Sequence, residues 1–275
     1  MKSNLLLSII FILVIIILVL TFMLIEPKNN NKSDNEHNNP FELMGISADK
    51  MNTIKNRIQQ VSPRLLEDQC TKGNTLSCLS LGILYGYDEP FGETNRSGLK
   101  KDEQKSIELF LKECNSEEAF GCGLSSIMYL KVKNFKEALN VSEKGCDLND
   151  PVSCGIAGFI TGDENIGLVN YKRSFEFCSR GCDLNNITSC YALGLLYRDG
   201  NGIERDLHTS SDLFMKACEG NFGPSCVGLG EAYIFGSGVR QDLKKAKEYF
   251  GKACDLGDQE GCDGYRKLNQ RESNH

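Results

Sequence analysis

The chain of 275 residues has no tryptophan and only three histidines, His37, His208 and His275, which lie far apart in the sequence. Isolated histidines do not supply the ligand set of a catalytic zinc centre. No H-E-x-x-H, P-loop or G-x-S-x-G occurs, so the signatures of zinc proteases, phosphate-cradling loops and nucleophile elbows are missing. Cations are not in excess. Lys and Arg number 31 against 37 Asp and Glu, a formal charge of −6, which excludes nucleic-acid binding through a basic surface. No alanine precedes Ala48 and no cysteine precedes Cys70. The first absence removes the usual small-residue signal cleavage site, and the second removes a lipoprotein attachment site. With 40% apolar and 25% charged residues, the usage is that of a globular protein, neither fully disordered nor polytopic.

One long apolar run stands at the amino terminus. Leu5 to Ile25 carries no charge, and as a helix it would be roughly 31 Å long, enough to cross a bilayer core. The run exceeds the apolar stretch of a cleaved signal peptide, about 7–15 residues, so the expectation is an uncleaved anchor, with a cleaved, secreted form as the alternative. A polar, asparagine-rich stretch, Glu26 to Pro40, follows. It has too few apolar residues to order itself and reads as a tether.

The remainder is periodic. Twelve of the 13 cysteines fall into six pairs, each separated by eight positions: Cys70/Cys78, Cys114/Cys122, Cys146/Cys154, Cys182/Cys190, Cys218/Cys226 and Cys254/Cys262. First members lie 44, 32, 36, 36 and 36 residues apart, which defines a unit of about 36 residues. A helix, A, is expected to start at the second cysteine, with the preceding Ser77, Gly121, Ser153, Ser189, Ser225 or Gly261 as N-cap. Leu193/Tyr197 and Leu229/Tyr233 then share one helical face. Gly82, Ser126, Gly158, Gly194 and Gly230 place a small residue mid-helix for close helix approach. A second helix, B, is expected after Asp102, Asn134, Asn170, Asp206 and Asp242, each twelve positions before the next cysteine. Small Ser106, Ala138, Ser174, Ser210 and Ala246, followed four positions on by Phe110, Phe214 and Phe250, suit an interdigitating pair.

Each cysteine pair therefore joins the end of helix B to the start of the next helix A across a short turn, within disulfide reach. Zinc ligation calls for closer spacings and clustered partners; six disulfides are the favoured pairing. Disulfides place residues after Ile25 outside the cytoplasm. The thirteenth cysteine, Cys178, takes the position of Phe110, Phe214 and Phe250. It reads as a buried small hydrophobe, against the alternatives of a reactive or intermolecular free thiol or a partner in exchange with Cys182. Tyr85, Tyr129, Tyr197 and Tyr233 recur at one position; they read as packing residues whose hydroxyls could contact a ligand in a groove.

Leu193-Gly194-Leu195-Leu196-Tyr197 with Gly200-Asn201-Gly202, and Leu229-Gly230-Glu231-Ala232-Tyr233 with Gly236-Ser237-Gly238-Val239, resemble the Sel-one-like repeats, relatives of the tetratricopeptide repeat. The bridged form resembles the Helicobacter cysteine-rich proteins. The second unit departs by lacking an inter-helix loop between Tyr129 and Asn134, and the third by carrying Thr161 in place of tyrosine. The first unit's extra residues, near Asp88 to Lys100, are expected to form a protruding loop. The resemblance implies an all-α right-handed superhelix of antiparallel helix pairs with a concave groove, a secreted or periplasmic location and a role as interaction scaffold. It also carries a β-lactamase or penicillin-binding label. Ser47-Ala48-Asp49-Lys50 and Ser33-Asp34-Asn35 match two β-lactamase patterns, but in reversed order and without K-T-G, and read as chance. The acid pairs Glu117/Glu118 and Asp147/Asp150 read as solvated helix ends.

The expected organisation is an anchor over 1–25, a tether over 26–48, N-terminal capping helices over 49–78, five repeats over 79–262 and a capping helix with tail over 263–275. The expected function is a single-pass, inner-membrane-tethered periplasmic scaffold. Its concave face would bind a protein, a peptide or a peptidoglycan-related ligand, with no catalytic residue, cofactor or metal assigned. A β-lactam-hydrolysing enzyme is the alternative, by resemblance alone.

Overall fold

The computed structural model describes residues 48–87, 98–116 and 119–273. The apolar run Leu5 to Ile25, the polar stretch after it, residues 88–97 of the loop expected near Asp88 to Lys100 and Glu117/Glu118 lie outside the described residues. Among the described residues no helix is long and apolar enough to cross a membrane.

All regular structure among the described residues is helical. It comprises α1 (Ala48–Gln60), α2 (Pro63–Thr71), α3 (Thr75–Gly86), α4 (Glu103–Asn115), α5 (Ala119–Lys131), α6 (Phe135–Asp147), α7 (Pro151–Gly162), α8 (Tyr171–Asp183), α9 (Ile187–Asp199), α10 (Leu207–Glu219), α11 (Gly223–Phe235), α12 (Leu243–Asp255) and α13 (Gln259–Ser273). From α2 on, each helix packs on the next, so the chain forms an all-α solenoid of helix hairpins. Odd-numbered helices are A and even-numbered ones B. A helices also pack on each other across units, α1 on α3, α5 on α7, α7 on α9 and α11 on α13.

The two layers differ because their sequences do. B helices are amphipathic, burying one stripe such as Ser106, Ile107, Phe110 and Cys114 in α4. A helices are buried on most sides; ten consecutive residues from Ser77 to Gly86 are buried in α3. The B helices begin at the expected caps. The side chains of Asp102, Asn134, Asn170, Asp206 and Asp242 accept backbone N–H bonds from the first turns of α4, α6, α8, α10 and α12.

The A helices begin three residues earlier than the cysteine spacing suggested. Asn74, Asp150 and Asn186 are the caps of α3, α7 and α9, and they accept from the N–H groups of Ser77 (2.9 Å), Ser153 (2.8 Å) and Ser189 (2.9 Å). The serine before each cysteine is thus the third helical residue, the one whose orphan N–H a cap satisfies. α11 starts after Phe222 with no side-chain cap bond, but with Pro224 in its first turn.

Starting earlier leaves only about three residues for each turn from B to A. A left-handed residue makes this possible: Gly73, Asn149, Asn185, Asn221 and Gly257, each three positions after the first cysteine, have φ from 62° to 86°. Asparagine and glycine tolerate that region best. The N–H of Asn149 bonds Cys146 O (2.9 Å) and that of Asp150 reaches back to Gly145 O (2.9 Å), which closes the helix end. Six disulfides, Cys70–Cys78, Cys114–Cys122, Cys146–Cys154, Cys182–Cys190, Cys218–Cys226 and Cys254–Cys262, span these junctions with Cα separations of 4.4–4.8 Å.

Within a hairpin, glycine faces aromatic ring. A Cβ on Gly82 would lie 2.5 Å from Phe110, on Gly194 2.7 Å from Phe214 and on Gly230 2.9 Å from Phe250. Burying each ring contributes about 1.5–3 kcal/mol, and only a glycine admits it so close. Ser106, Ser174 and Ser210 donate hydroxyl bonds of 2.7–2.8 Å to the carbonyls of Gly82, Gly158 and Gly194. At the A-to-B turn, the N–H of each B-helix cap bonds an A-helix carbonyl: Asp102 to Tyr85, Asn134 to Tyr129, Asn170 to Thr161, Asp206 to Tyr197 and Asp242 to Tyr233, all 2.8–3.0 Å. The units without the loop or the tyrosine keep this bond, because it uses backbone alone.

Candidate interaction face

One side of the A layer is not covered by B helices. The fifth position after each second cysteine points there: Ile127 in α5, Phe159 in α7 and Leu195 in α9 are half-buried apolar side chains. At the same position Ile83 in α3 is buried, in a cluster with Met51 and Ile54 of α1. In α11 the position holds exposed Glu231. An apolar stripe therefore runs over three units, closed by α1 at one end and bounded by charge at the other.

The charged end joins three A helices. Partial burial raises the carboxyl of Glu231, a residue otherwise exposed, above its ordinary range; Glu260 of α13 adds to the rise and Arg198 of α9 opposes it. The bond from Arg198 Nε to Asp199 Oδ1, 2.8 Å, is the main cause that raises the guanidinium above its ordinary range. Tyr191 lies beside this group. Burial pushes its phenol up to about 12, and its ring meets Phe222 at 5.2 Å and Phe214 at 5.7 Å. This face offers apolar contact area, one guanidinium and clustered carboxylates, which is the equipment of recognition.

The recurring tyrosines stand between the layers, near the A-to-B turns. Tyr85 is buried; its hydroxyl donates to Glu67 Oε1 (2.9 Å) and accepts from Lys105 Nζ (2.6 Å), which lies 4.1 Å from the ring centroid. That bond is the main reason the Lys105 pKa is raised. Burial, then Glu137, raises the half-buried Tyr129 phenol. Tyr197 meets Phe175 edge-on at 5.6 Å. Tyr233 stacks on Tyr249 at 5.5 Å and lines an open cleft of about 620 Å³ with His208, Arg240 and Lys245. Cys178 is a free, buried thiol against Gly158. Burial pushes it up to about 12, partly offset by Ser174, whose Oγ lies 3.9 Å away. Among the described residues no group of three or more His, Cys, Asp or Glu could hold a metal ion.

Sequence reasoning passed over a basic position two residues before five of the six first cysteines, held by Lys112, Lys144, Arg180, Lys216 and Lys252; only Cys70 is preceded there by an acid, Asp68. Lys112 Nζ donates to Cys70 O (3.0 Å), Lys216 Nζ to Cys182 O (3.1 Å) and Arg180 to Asp147 O (3.1 Å). Each cation thus sits on the carbonyl end of the preceding B helix, where the macrodipole favours it, and ties two units together. The 36-residue recurrence of a basic residue was the available signal.

Stacked hairpins stapled at each junction, with an open face and charged ends, define a repeat protein of the solenoid class. The Sel1 repeat family matches residues 76–114, 187–222 and 223–258, and the chain belongs to the Sel1-repeat proteins. Such proteins are protein-interaction scaffolds. Among solved structures, a protective antigen of uropathogenic Escherichia coli displaying an SLR fold superposes with a TM-score of 0.67 at 20% identity, over 76% of this chain and 44% of that one. The present chain thus spans less than half of that antigen's length. A Sel1 repeat protein from Oxalobacter formigenes gives 0.61 at 17% identity, over 83% and 73%. Helicobacter pylori cysteine rich protein B is 30% identical over 47% of this chain and 93% of its own, with a TM-score of 0.39. No curated protein matches the chain.

Proposed function

We propose that this chain is a scaffold held at a membrane by Leu5 to Ile25, with its repeats on the extracytoplasmic side, whose A-helix face binds an extended segment of a protein partner. The observation that carries the reading is the stripe of Ile127, Phe159 and Leu195, half-buried apolar side chains repeated along one face. The direct packing of A helices on one another supports placing this layer on the inner side of the stack's curve. The six disulfides support the compartment, since such bridges persist in oxidising surroundings. Glu231 and Glu260 suit a partner with a basic residue following its apolar ones.

A photo-crosslinking residue replacing Phe159 or Leu195 tests the face in cells, with Glu176 on the outer side of α8 as control. Discrete adducts are expected from the first two positions and not from the third. Adducts of equal yield from all three positions, or none at all, would sink the reading. Protease added to spheroplasts should digest the repeats while the membrane stays intact.

A further inference from the structure

At particular end positions several B helices carry charge against their own dipoles, although the last turns of α4, α6, α8, α10 and α12 also hold Lys112, Lys144, Arg180, Lys216 and Lys252, which run with the dipole. The second residue of α2, α6, α8 and α12 is Arg64, Lys136, Lys172 or Lys244, each exposed. None of these four forms an ion pair among the described residues. The last residue of α6, α8, α10 and α12 is Asp147, Asp183, Glu219 or Asp255, also exposed. A cation at a helix start and an anion at its end are each disfavoured by the macrodipole, typically by about 0.3–1 kcal/mol. Helix stability therefore does not account for these eight end residues. All A-to-B turns lie on one edge and all B-to-A turns on the other; the caps Asp102, Asp206 and Asp242 offset part of the charge on the first, and Lys112, Lys144, Arg180, Lys216 and Lys252 most of that on the second, so the first edge holds an excess of cations and the second is weakly anionic.

Apolar exposure follows the same division. Six large hydrophobic side chains are exposed among the described residues, and five belong to the A-to-B edge: Leu65, Val132, Val169, Phe235 and Leu243. Phe235, at the tip of α11, is 75% exposed, and Leu243, which opens α12, is 50% exposed. Single exposed apolar residues are ordinary, but a phenylalanine so exposed, on the same edge as unpaired lysines, is the combination that seats proteins on anionic bilayers.

We infer that the A-to-B edge is a docking surface for an anionic membrane, with Phe235 and Leu243 entering the headgroup layer while Arg64, Lys136, Lys172 and Lys244 pair with lipid phosphates. The occupant is argued from charge complementarity and from the chain that precedes α1. Residues 26–47 span at most roughly 75 Å fully extended, so an anchor at Leu5 to Ile25 keeps the repeats within reach of the bilayer. The acidic edge then faces away. The inference rests on the anchor of the proposed function, and the experiment separates the two.

The absence of tryptophan makes Phe235→Trp the sole tryptophan reporter, excited to the red of the tyrosines. The full chain carrying it is reconstituted into vesicles of phosphatidylcholine, with or without phosphatidylglycerol. Anionic lipid is expected to shift emission to the blue and to strengthen quenching by brominated phosphatidylcholine at least twofold. High salt, and the combined Arg64→Glu, Lys136→Glu, Lys172→Glu and Lys244→Glu variant, should abolish the difference. A Glu219→Trp reporter on the acidic edge should not respond. Should Phe235→Trp disturb the fold, seen as lost helical signal, Leu243→Trp replaces it. Equal emission and quenching in both vesicles, or an equal response from Glu219→Trp, would overturn the inference. If the chain instead purifies without lipid or detergent, the anchor fails; sedimentation of that soluble chain with the same vesicles still reads the edge.

Discussion

The units α5–α8 and α9–α12 hold the same place in the solenoid by different means. The Sel1 repeat match covers α9–α12 and omits α5–α8. In the matched units a glycine-bearing loop leads from A to B. Gly202 and Gly238 have φ of 76° and 74°, and a Cβ on either would collide with the backbone of Tyr171 or Leu207, at the start of the preceding B helix. In the unmatched units that loop is reduced to Val132-Lys133-Asn134 or replaced by residues 163–170, where a Cβ on Gly167 would meet nothing within 4 Å. Both pairs keep the bridged B-to-A junction, the left-handed asparagine and the backbone bond at the A-to-B turn. The architecture therefore resides in the junctions, and the loops add contacts between units.

The largest test of that division is reduction. Each bridge closes a loop of about nine residues, worth roughly 2.6 kcal/mol in the chain-entropy model. Six together are comparable to the roughly 5–15 kcal/mol that holds a typical domain. Circular dichroism in excess thiol should show helix lost well below the oxidised melting temperature; an identical melt would refute the claim. Singly, Cys146→Ser with Cys154→Ser and Cys218→Ser with Cys226→Ser should cost similar amounts, about 2–3 kcal/mol by denaturant titration. A marked inequality would show that the loops share the work.

Gly238→Ala should cost about 2–3 kcal/mol, since it meets both a left-handed backbone and Leu207, whereas Gly167→Ala meets only the first and should cost about 1 kcal/mol. Equal losses would mean that the loop contact is idle. Asp150→Ala removes the cap of α7 and should cost about 1–2 kcal/mol, measurable in the same titration. Lys216→Met and Arg180→Met, one from each half, should each cost about 0.5–1 kcal/mol if the cation-to-carbonyl tie matters equally in both.

The smallest effect belongs to Cys178. Its thiol, raised to about 12 by burial, should resist iodoacetamide at pH 8 until the protein unfolds, with one label per chain by mass. A free thiol ionises near 8.5, so as pH rises the unfolded state loses this proton first. The stability contribution is full below about pH 8.5 and declines toward pH 12. Cys178→Ala should remove that component of the alkaline loss, and rapid labelling of the native protein would contradict the burial.

The repeat, the helix order and the B-helix caps were legible because cysteine spacing and Asp or Asn at a fixed offset are local facts. The A-helix starts were misread by three residues, because Ser77, Ser153 and Ser189 look like caps while serving as the donors that Asn74, Asp150 and Asn186 satisfy. The tie from Lys216 to Cys182 and the stripe of Ile127, Phe159 and Leu195 were not legible. Each depends on how one unit is placed against the next, and a lysine near a helix end otherwise reads as a solvated charge.

Every bridge is closed between cysteines eight positions apart. Twelve cysteines admit on the order of ten thousand pairings, by the counting that gives 105 for eight, yet each partner here is the nearest thiol of its set along the chain. Oxidation can then proceed unit by unit as the polypeptide emerges, without waiting for distant segments. The same locality makes the gene tolerant of duplication and loss. Excising residues 182–217, for instance, would remove Cys182 and Cys190 together and leave Cys146–Cys154 and Cys218–Cys226 whole. An array built this way can change its length across generations without ever stranding a half-bridge.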